Sequence, residues 1–268
     1  MMIKTIFIDI DGTLTNKYGK IPTSAIDAIN AARVKGHSVF LCSGRSKVEC
    51  QPIIRKVGVD GIIGGGGSYI EVKSEVIMEK FFSSNETRAL IDYLSDKKIG
   101  FYLSSPDFLY IDRTLNKKLK KVGFLFPAKF KKRIKLIDSL NDVEIEKISK
   151  INFINRKISL EKISSDLIDN FSITPSTIAA FGKGSGEIMP PHTSKKIGID
   201  YLVSHLNILK SDTIGIGNGL NDIDMFRAVG LKVAVKDADP RLKEIADYIA
   251  DKPMKDGIFK LFSWLEII

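Results

Sequence analysis

The sequence predicts an α/β fold: a Rossmann-like, doubly wound parallel sheet into which a second, α+β module is inserted. Short apolar runs alternate with helix-like segments over residues 1–80 and again over 187–268, which is typical of a parallel sheet covered by helices. Between these parts the runs are shorter and more mixed. Of the 268 residues, 44% are hydrophobic, which suffices for a buried core and excludes wholesale disorder.

The first part alternates strands and helices. Its strands are predicted from β-branched and aromatic runs, which suit strands buried on both faces. The predicted strands are Thr5–Ile10, Ser38–Cys42 and Gly61–Ile63, and the predicted helices are Ala25–Lys35 and an amphipathic segment ending at Val57.

The middle part, residues 81–186, has α+β character. Two runs on either side of a Ser-Pro-Asp turn predict a hairpin, and two further strands flank a helix. Three glycines within Gly182–Gly186 predict a hinge, because glycine leaves the backbone loose. The predicted strands are Phe101–Ser104, Phe108–Ile111, Ile151–Ile154 and Phe171–Thr174, and the helix is Leu160–Ile168.

Alternation resumes in the last part of the chain. The predicted elements are helices over Ser194–Leu206, up to Ala228, after Pro240 and over Ile258–Leu265, with strands at Thr213–Ile216, Lys232–Val235 and Tyr248–Ile249. We therefore predict a catalytic core made of residues 1–80 and 187–268, with residues 81–186 forming a cap domain inserted between its two segments.

The net charge of +9 lies mostly in the predicted cap. Residues 81–186 hold 19 Lys and Arg against 12 Asp and Glu, whereas the rest of the chain is nearly balanced. A solvated lysine-rich surface explains this excess, and so does a surface that attracts anionic ligands. No zinc-finger spacing or RNA-recognition signature accompanies the charge, so we expect no nucleic-acid partner.

Composition also bears on location and assembly. We expect no membrane partner, because no apolar stretch approaches the ~20 residues of a membrane span. Cys42 and Cys50 are too few for a disulfide framework, which favours a cytoplasmic location. A monomer and a homodimer are both compatible with the sequence.

Candidate site residues follow several predicted strands of the core, and one more lies at the start of the predicted helix Ser194–Leu206. They are, in chain order, Asp9, Asp11, Ser43, Gly44, Lys195, Asn218 and Asp222. Because ligands bind at the carboxyl ends of the strands in open parallel sheets, we expect these residues to form one site.

This set of residues suits phosphoryl transfer through a carboxylate. Asp9 is the candidate nucleophile, which attacks phosphorus and forms an aspartyl-phosphate. Asp11 is the candidate general acid and base, which protonates the leaving oxygen and then activates water. Ser43 and the N–H of Gly44 are candidate phosphate ligands, and Lys195 balances the phosphate charge.

Mg²⁺ is the predicted cofactor, since it neutralises a phosphate that an anionic nucleophile must approach. It prefers hard oxygen ligands in an octahedron. The candidate ligands are the Asp9 carboxylate, the backbone carbonyl of Asp11, and the side chain of Asn218 or Asp222.

Four motifs, in order, resemble those of the haloacid dehalogenase (HAD) superfamily, and in particular its Cof-like phosphatases. They are Asp9-x-Asp11-Gly12-Thr13, Ser43-Gly44-Arg45, Ser194-Lys195 and Gly217-Asn218-x-x-Asn221-Asp222. The match covers both core segments, and the insert is similar to the superfamily's α/β cap in size and position. The resemblance implies the roles given above, places Asn221 beside the phosphate, and assigns magnesium ligands to the fourth motif.

Two positions depart from the pattern that the superfamily usually shows. Asn218 stands where Asp is usual, which removes one negative charge and predicts weaker metal binding. Gly64–Ser68 replaces an Asn-Gly-Ala sequence, and this glycine run is expected to be a flexible loop that bears on substrate fit.

We therefore predict a Mg²⁺-dependent phosphatase that acts on a small phosphorylated metabolite: a sugar phosphate, a nucleotide or a cofactor phosphate. The alternatives are a catalytically weakened phosphate-binding or regulatory protein, suggested by Asn218, and a phosphotransferase or mutase. Basic and aromatic cap residues are candidates for lining the site, namely Arg113, Lys117, Phe124 and Phe126.

Overall fold

A computed structural model describes residues 2–121, 132–139, 141, 143–167, 171–176 and 181–268. The chain divides into two compact units. The first consists of Met1–Gly44, Gln51–Met78 and Ser194–Ile268, and the second of Arg45–Cys50 and Glu79–Thr193. Phe124 and Phe126 lie outside the described residues.

The strands of the two sheets are distributed along the whole chain. In chain order they are β1 (Thr5–Ile8), β2 (Ser38–Cys42), β3 (Gly61–Gly64), β4 (Tyr69–Val72), β5 (Glu75–Glu79), β6 (Gly100–Ser104), β7 (Leu109–Asp112), β8 (Ile134–Ile137), β9 (Lys150–Ile154), β10 (Ser172–Pro175), β11 (Gly186–Met189), β12 (Thr213–Gly217), β13 (Leu231–Val235) and β14 (Tyr248–Ala250).

The helices follow the same order. They are α1 (Thr23–Val34), α2 (Lys47–Val57), α3 (Ser84–Asp96), α4 (Arg113–Lys121), α5 (Leu160–Leu167), α6 (Lys195–His205), α7 (Ile223–Ala228), α8 (Pro240–Glu244) and α9 (Gly257–Trp264). No helix in the described parts of the chain combines the length and the apolar character that crossing a membrane requires.

The first unit is built on an eight-stranded sheet in the order β14-β13-β12-β1-β2-β3-β4-β5. Pairing is parallel from β14 to β3 and turns antiparallel between β3 and β4. All four residues of β1 are buried, which explains its continuous apolar run. The predicted α/β class with a doubly wound parallel sheet is confirmed.

The second unit contains a six-stranded sheet in the order β10-β11-β9-β6-β7-β8. Neighbouring strands are antiparallel, except that β7 and β8 run parallel. Apolar residues of α3 and α5 join those of β6, β9 and β11 in one core cluster. The predicted hairpin is confirmed as the antiparallel pair β6 and β7.

The end of the second unit differs from the boundary that the sequence suggested. β11 begins at Gly186 and pairs with both β9 and β10, so this unit extends to Thr193 rather than to residue 186. The segment interpreted as a hinge is packed: Ser185 is buried, and its Oγ accepts a hydrogen bond from Asn155 N at 2.8 Å. The division into a catalytic core and a cap stays a prediction.

The glycine run after β3 is a buried turn and not an exposed loop. Gly65–Gly67 form a single 3₁₀ turn, and all three residues are buried. Gly67 has φ +104°, and a Cβ there would collide with the backbone carbonyl of Ser194 at the start of α6. Glycine at this position therefore permits both the backbone conformation and the close approach.

Substitution at Gly67 tests this packing. We expect Gly67→Ala to lower the free energy of unfolding by ~2–5 kcal/mol, because positive φ and steric overlap both oppose a side chain. Gly19→Ala is the matched control, since Gly19 has φ +74° but no atom within 4 Å of its Cβ position. It should cost only ~1 kcal/mol in chemical denaturation. Equal losses for the two variants would contradict the packing argument.

Candidate active site

The motif residues lie at the carboxyl ends of three adjacent parallel strands and at the start of a helix. Asp9 follows β1, Ser43 follows β2 and Asn218 follows β12, and these strands are neighbours in the sheet. Lys195 is the first residue of α6, whose N-cap is Ser194. The topology therefore brings together Asp9 and Lys195, which are 186 positions apart in the sequence.

A buried lysine between two carboxylates forms the centre of this region. Lys195 Nζ lies 2.6 Å from Asp9 Oδ1 and 2.6 Å from Asp222 Oδ1. The side chains of all three residues are no more than 6% exposed. Because buried charges are tolerated only when paired, each of these residues constrains the other two.

The pKa values follow from burial and from these contacts. Burial and the nearby Asp222 carboxylate raise the pKa of Asp9 to about 7, although the Lys195 ammonium opposes this. Burial alone would lower the pKa of Lys195, but Asp222 and Asp9 raise it above its usual value. Lys195 therefore stays protonated, and Asp9 is sensitive to any further positive charge placed beside it.

Asp222 organises the loop after β12. Its Oδ2 accepts hydrogen bonds from the backbone N–H groups of Asn218 (2.8 Å) and Gly219 (2.9 Å), while Oδ1 binds Lys195. The residue is fully buried at the end of the 3₁₀ turn Leu220–Asp222. These three hydrogen bonds suit a role for Asp222 in holding the loop and Lys195. They suit a role as a direct metal ligand less well.

Asn218 is held against the first motif. Thr13 Oγ1 donates a hydrogen bond to Asn218 Oδ1 at 3.0 Å, and a Cβ on Gly12 would overlap the Asn218 amide. Thr13 is completely buried. Neither contact is evident from the motif itself, and the overlap that a side chain at Gly12 would cause explains why glycine is needed there.

Ser43 belongs to the same end of the sheet. Its N–H donates to Ile63 O at 2.8 Å, and its carbonyl accepts from Gly66 N at 3.0 Å, so its backbone position is set by β3 and the glycine turn. Gly44 follows it and is half-buried. Asn221 lies in the same 3₁₀ turn as Asp222 and is also half-buried.

The oxygen donors suit a hard divalent cation. Among the described residues, no three His, Cys, Asp or Glu side chains gather into a metal cluster. The predicted ligands are instead oxygens of mixed type, the Asp9 carboxylate, the Asp11 backbone carbonyl and the Asn218 amide oxygen, and oxygen is the donor type that Mg²⁺ prefers. The Asp9 and Asp222 carboxylates share the single ammonium of Lys195, and a cation added beside Asp9 would favour its ionised form.

Two predicted cap candidates lie on the surface of the second unit. Arg113 is 55% exposed and its Nε pairs with Asp138 Oδ2 at 2.8 Å, and Lys117 is also exposed. Their role in lining a site stays a prediction.

Replacing Lys195 tests the buried ion cluster. Lys195→Met should lower the free energy of unfolding by ~3–5 kcal/mol, because Asp9 and Asp222 lose the cation that compensates them. Lys196→Met is the matched control: the neighbouring lysine is 45% exposed and pairs with Asp200 on the surface. Its effect on chemical denaturation should stay within ~0.5 kcal/mol. A native-like Lys195→Met protein would contradict the assigned role.

Comparison with known proteins identifies the family. A family model of haloacid dehalogenase-like hydrolases matches residues 6–262. The chain is 29% identical over 259 residues to phosphoglycolate phosphatase 1 of Saccharolobus solfataricus, covering 96% of this chain and 93% of that protein. It is 26% identical over 278 residues to the 5-amino-6-(5-phospho-D-ribitylamino)uracil phosphatase YwtE of Bacillus subtilis, covering 96% of each.

A solved structure has a similar fold. The HAD subclass IIB sugar phosphatase BT4131 superimposes with a TM-score of 0.79 at 26% identity, covering 99% of this chain and all of that one. The predicted superfamily and the predicted enzyme class, a hydrolase of phosphoric monoesters, are confirmed. With a match that runs from β1 to α9, this chain belongs to the haloacid dehalogenase-like hydrolase family.

Proposed function

We propose that this phosphatase hydrolyses a small phosphorylated metabolite through an aspartyl-phosphate formed on Asp9. The observation that carries the proposal is the buried cluster in which Lys195 Nζ binds Asp9 and Asp222 at 2.6 Å. This cluster fixes one oxygen of Asp9 at the carboxyl end of β1. A carboxylate held in this way is preorganised for attack on a bound phosphate.

The reaction follows from the roles of two carboxylates. Asp9 attacks phosphorus while the bond from phosphorus to the leaving oxygen breaks, and Asp11 donates a proton to that oxygen. Asp11 then accepts a proton from water, which attacks the phosphoryl group and releases inorganic phosphate and free Asp9. The N–H of Gly44, the Ser43 hydroxyl and Lys195 stabilise the phosphate charge, and Asn221 lies beside it.

The proposed cofactor is Mg²⁺. Asp9, the Asp11 carbonyl and Asn218 are the proposed ligands, whereas Asp222 acts by positioning Lys195 and the loop after β12. Bound Mg²⁺ supplies positive charge that keeps Asp9 ionised and neutralises the phosphate.

The substrate class and location complete the proposal. Relatives named as phosphoglycolate phosphatase and as a sugar phosphatase support a small phosphorylated substrate. Cys42 and Cys50 are both buried and neither forms a disulfide, which supports a cytoplasmic location. A phosphotransferase or mutase would share the aspartyl-phosphate and would be recognised by a transferred phosphoryl group in place of free phosphate.

Loss of the nucleophile tests the mechanism. Asp9→Asn should reduce hydrolysis of p-nitrophenyl phosphate with Mg²⁺ by at least ~10³-fold, because an amide is a poor nucleophile toward phosphorus. Asp224→Asn is the control, since Asp224 is a partly exposed surface residue paired with Arg227. Retained turnover in Asp9→Asn, with a folded protein by circular dichroism, would refute the aspartyl-phosphate mechanism.

A substitution at Asn218 distinguishes an active phosphatase from a catalytically weakened phosphate-binding protein. Asn218→Asp should tighten Mg²⁺ binding by ~10-fold in calorimetry, because it adds a charged ligand oxygen. Asn207→Asp adds the same charge at an exposed position and should leave the affinity unchanged. Substantial turnover by the native chain excludes the weakened, regulatory alternative, and turnover that appears only in Asn218→Asp supports it.

A further inference from the structure

The chain contains a single Asn-Gly sequence, Asn218-Gly219, and this sequence lies in the loop after β12. Both residues are half-buried. Asparagine is a chemically labile residue, and a following glycine favours its deamidation because no Cβ hinders the backbone nitrogen. The proposed reaction makes no use of this property.

Deamidation of this sequence is an intramolecular reaction. The backbone nitrogen of Gly219 loses its proton and bonds to Cγ of Asn218, and the side-chain nitrogen leaves as ammonia. Water then opens the resulting succinimide ring at either of its two carbonyl carbons, which leaves an aspartate or an isoaspartate at position 218. The attack therefore requires a released nitrogen on Gly219 and an Asn218 side chain that can rotate over it.

The nitrogen that would attack is restrained in the folded chain. Gly219 N–H donates to Asp222 Oδ2 at 2.9 Å, and the Asp222 side chain is fully buried. This carboxylate opposes loss of the proton, because two negative charges would then lie side by side. The carbonyl of Asn218 accepts a hydrogen bond from Asp239 N at 2.9 Å. The peptide unit that joins Asn218 to Gly219 is thus held at both its oxygen and its nitrogen.

The carbon that would be attacked is restrained as well. Thr13 Oγ1 donates to Asn218 Oδ1 at 3.0 Å, and Thr13 is completely buried. The amide also occupies the space that a Cβ on Gly12 would fill. Rotation of the Asn218 side chain toward the nitrogen of Gly219 therefore costs a hydrogen bond made by a buried hydroxyl.

We propose that Asn218 is a deamidation site that the folded loop protects, with Thr13 holding the side chain and Asp222 holding the attacking nitrogen. Deamidation then requires local opening of the loop after β12, and its rate follows the population of the open form. Each event replaces an amide with a carboxylate at the position proposed to bind Mg²⁺, so it is a one-way change to the candidate site. The protection itself does not rest on the proposed hydrolysis.

The test follows deamidation by peptide mapping with mass spectrometry, which detects conversion of the Asn218 amide to an acid. The full chain is incubated in mildly alkaline buffer with a chelator, so that no bound cation adds to the restraint. We expect the folded native chain to deamidate at least ~10-fold more slowly than the same chain unfolded in guanidinium chloride, because opening precedes reaction. Thr13→Val should raise the rate in the folded chain by ~2- to 10-fold, since it removes one hydrogen bond that restrains Asn218.

Thr15→Val is the matched control. Thr15 is 1% exposed, and its Oγ1 donates to Ile10 O at 3.0 Å, so this variant loses a buried hydrogen bond that does not involve Asn218. It should deamidate as the native chain does. Thr13→Ser keeps the hydroxyl and should retain the native rate. Each protein is measured well below its own unfolding midpoint, so that global unfolding contributes little.

Three outcomes would overturn the proposal. They are a folded native chain that deamidates as fast as the unfolded one, a folded Thr13→Val protein with the native rate, and an equal acceleration in Thr15→Val. Thr13→Ala removes the same hydroxyl and takes the place of Thr13→Val should that variant not fold. None of these measurements needs substrate or turnover, so an inactive native chain would contradict the proposed function and leave this test valid.

Discussion

The pairing of one buried ammonium with two buried carboxylates is the constraint on which the candidate site depends. Lys195 comes from the start of α6, Asp9 from the end of β1 and Asp222 from the turn after β12. None of these charges is tolerated at this depth without the others, so the early and late segments of the first unit are held together at this point. Asp222 extends the constraint to the backbone of Asn218 and Gly219 through two hydrogen bonds.

Close backbone approaches supply a second constraint, which a sequence motif conveys less directly. Gly12 leaves room for the Asn218 amide, and Gly67 lets the glycine turn meet the backbone of Ser194. The same turn donates to the Ser43 carbonyl from Gly66. Because these glycines have no side chain, several short loops can converge at one end of the sheet.

Much of the first unit could be predicted, because the sequence patterns of its strands and helices are local. Runs such as Ser38–Cys42 are buried on both faces, and α6 begins at the serine cap that its sequence suggests. The second unit is less predictable. The sequence patterns did not predict α3, although Ser83 and Glu86 form a capping box at its start. They also assigned most of β11 to the predicted core, whereas β11 pairs with β9 of the second unit. The short strands of this unit depend on pairing with distant partners, which composition does not reveal.

The sequence by itself determined the α/β class, the family and the identity of the residues gathered at the strand ends, because motif order and strand periodicity are local properties. Only the tertiary structure decided what each residue contacts. In the fold, Asp222 binds Lys195 and the loop after β12, Thr13 donates a hydrogen bond to Asn218, and Lys150 pairs with Glu49. These partners are separated by 27 to 205 positions in the chain, so the burial and charge balance that define their roles exist only after folding.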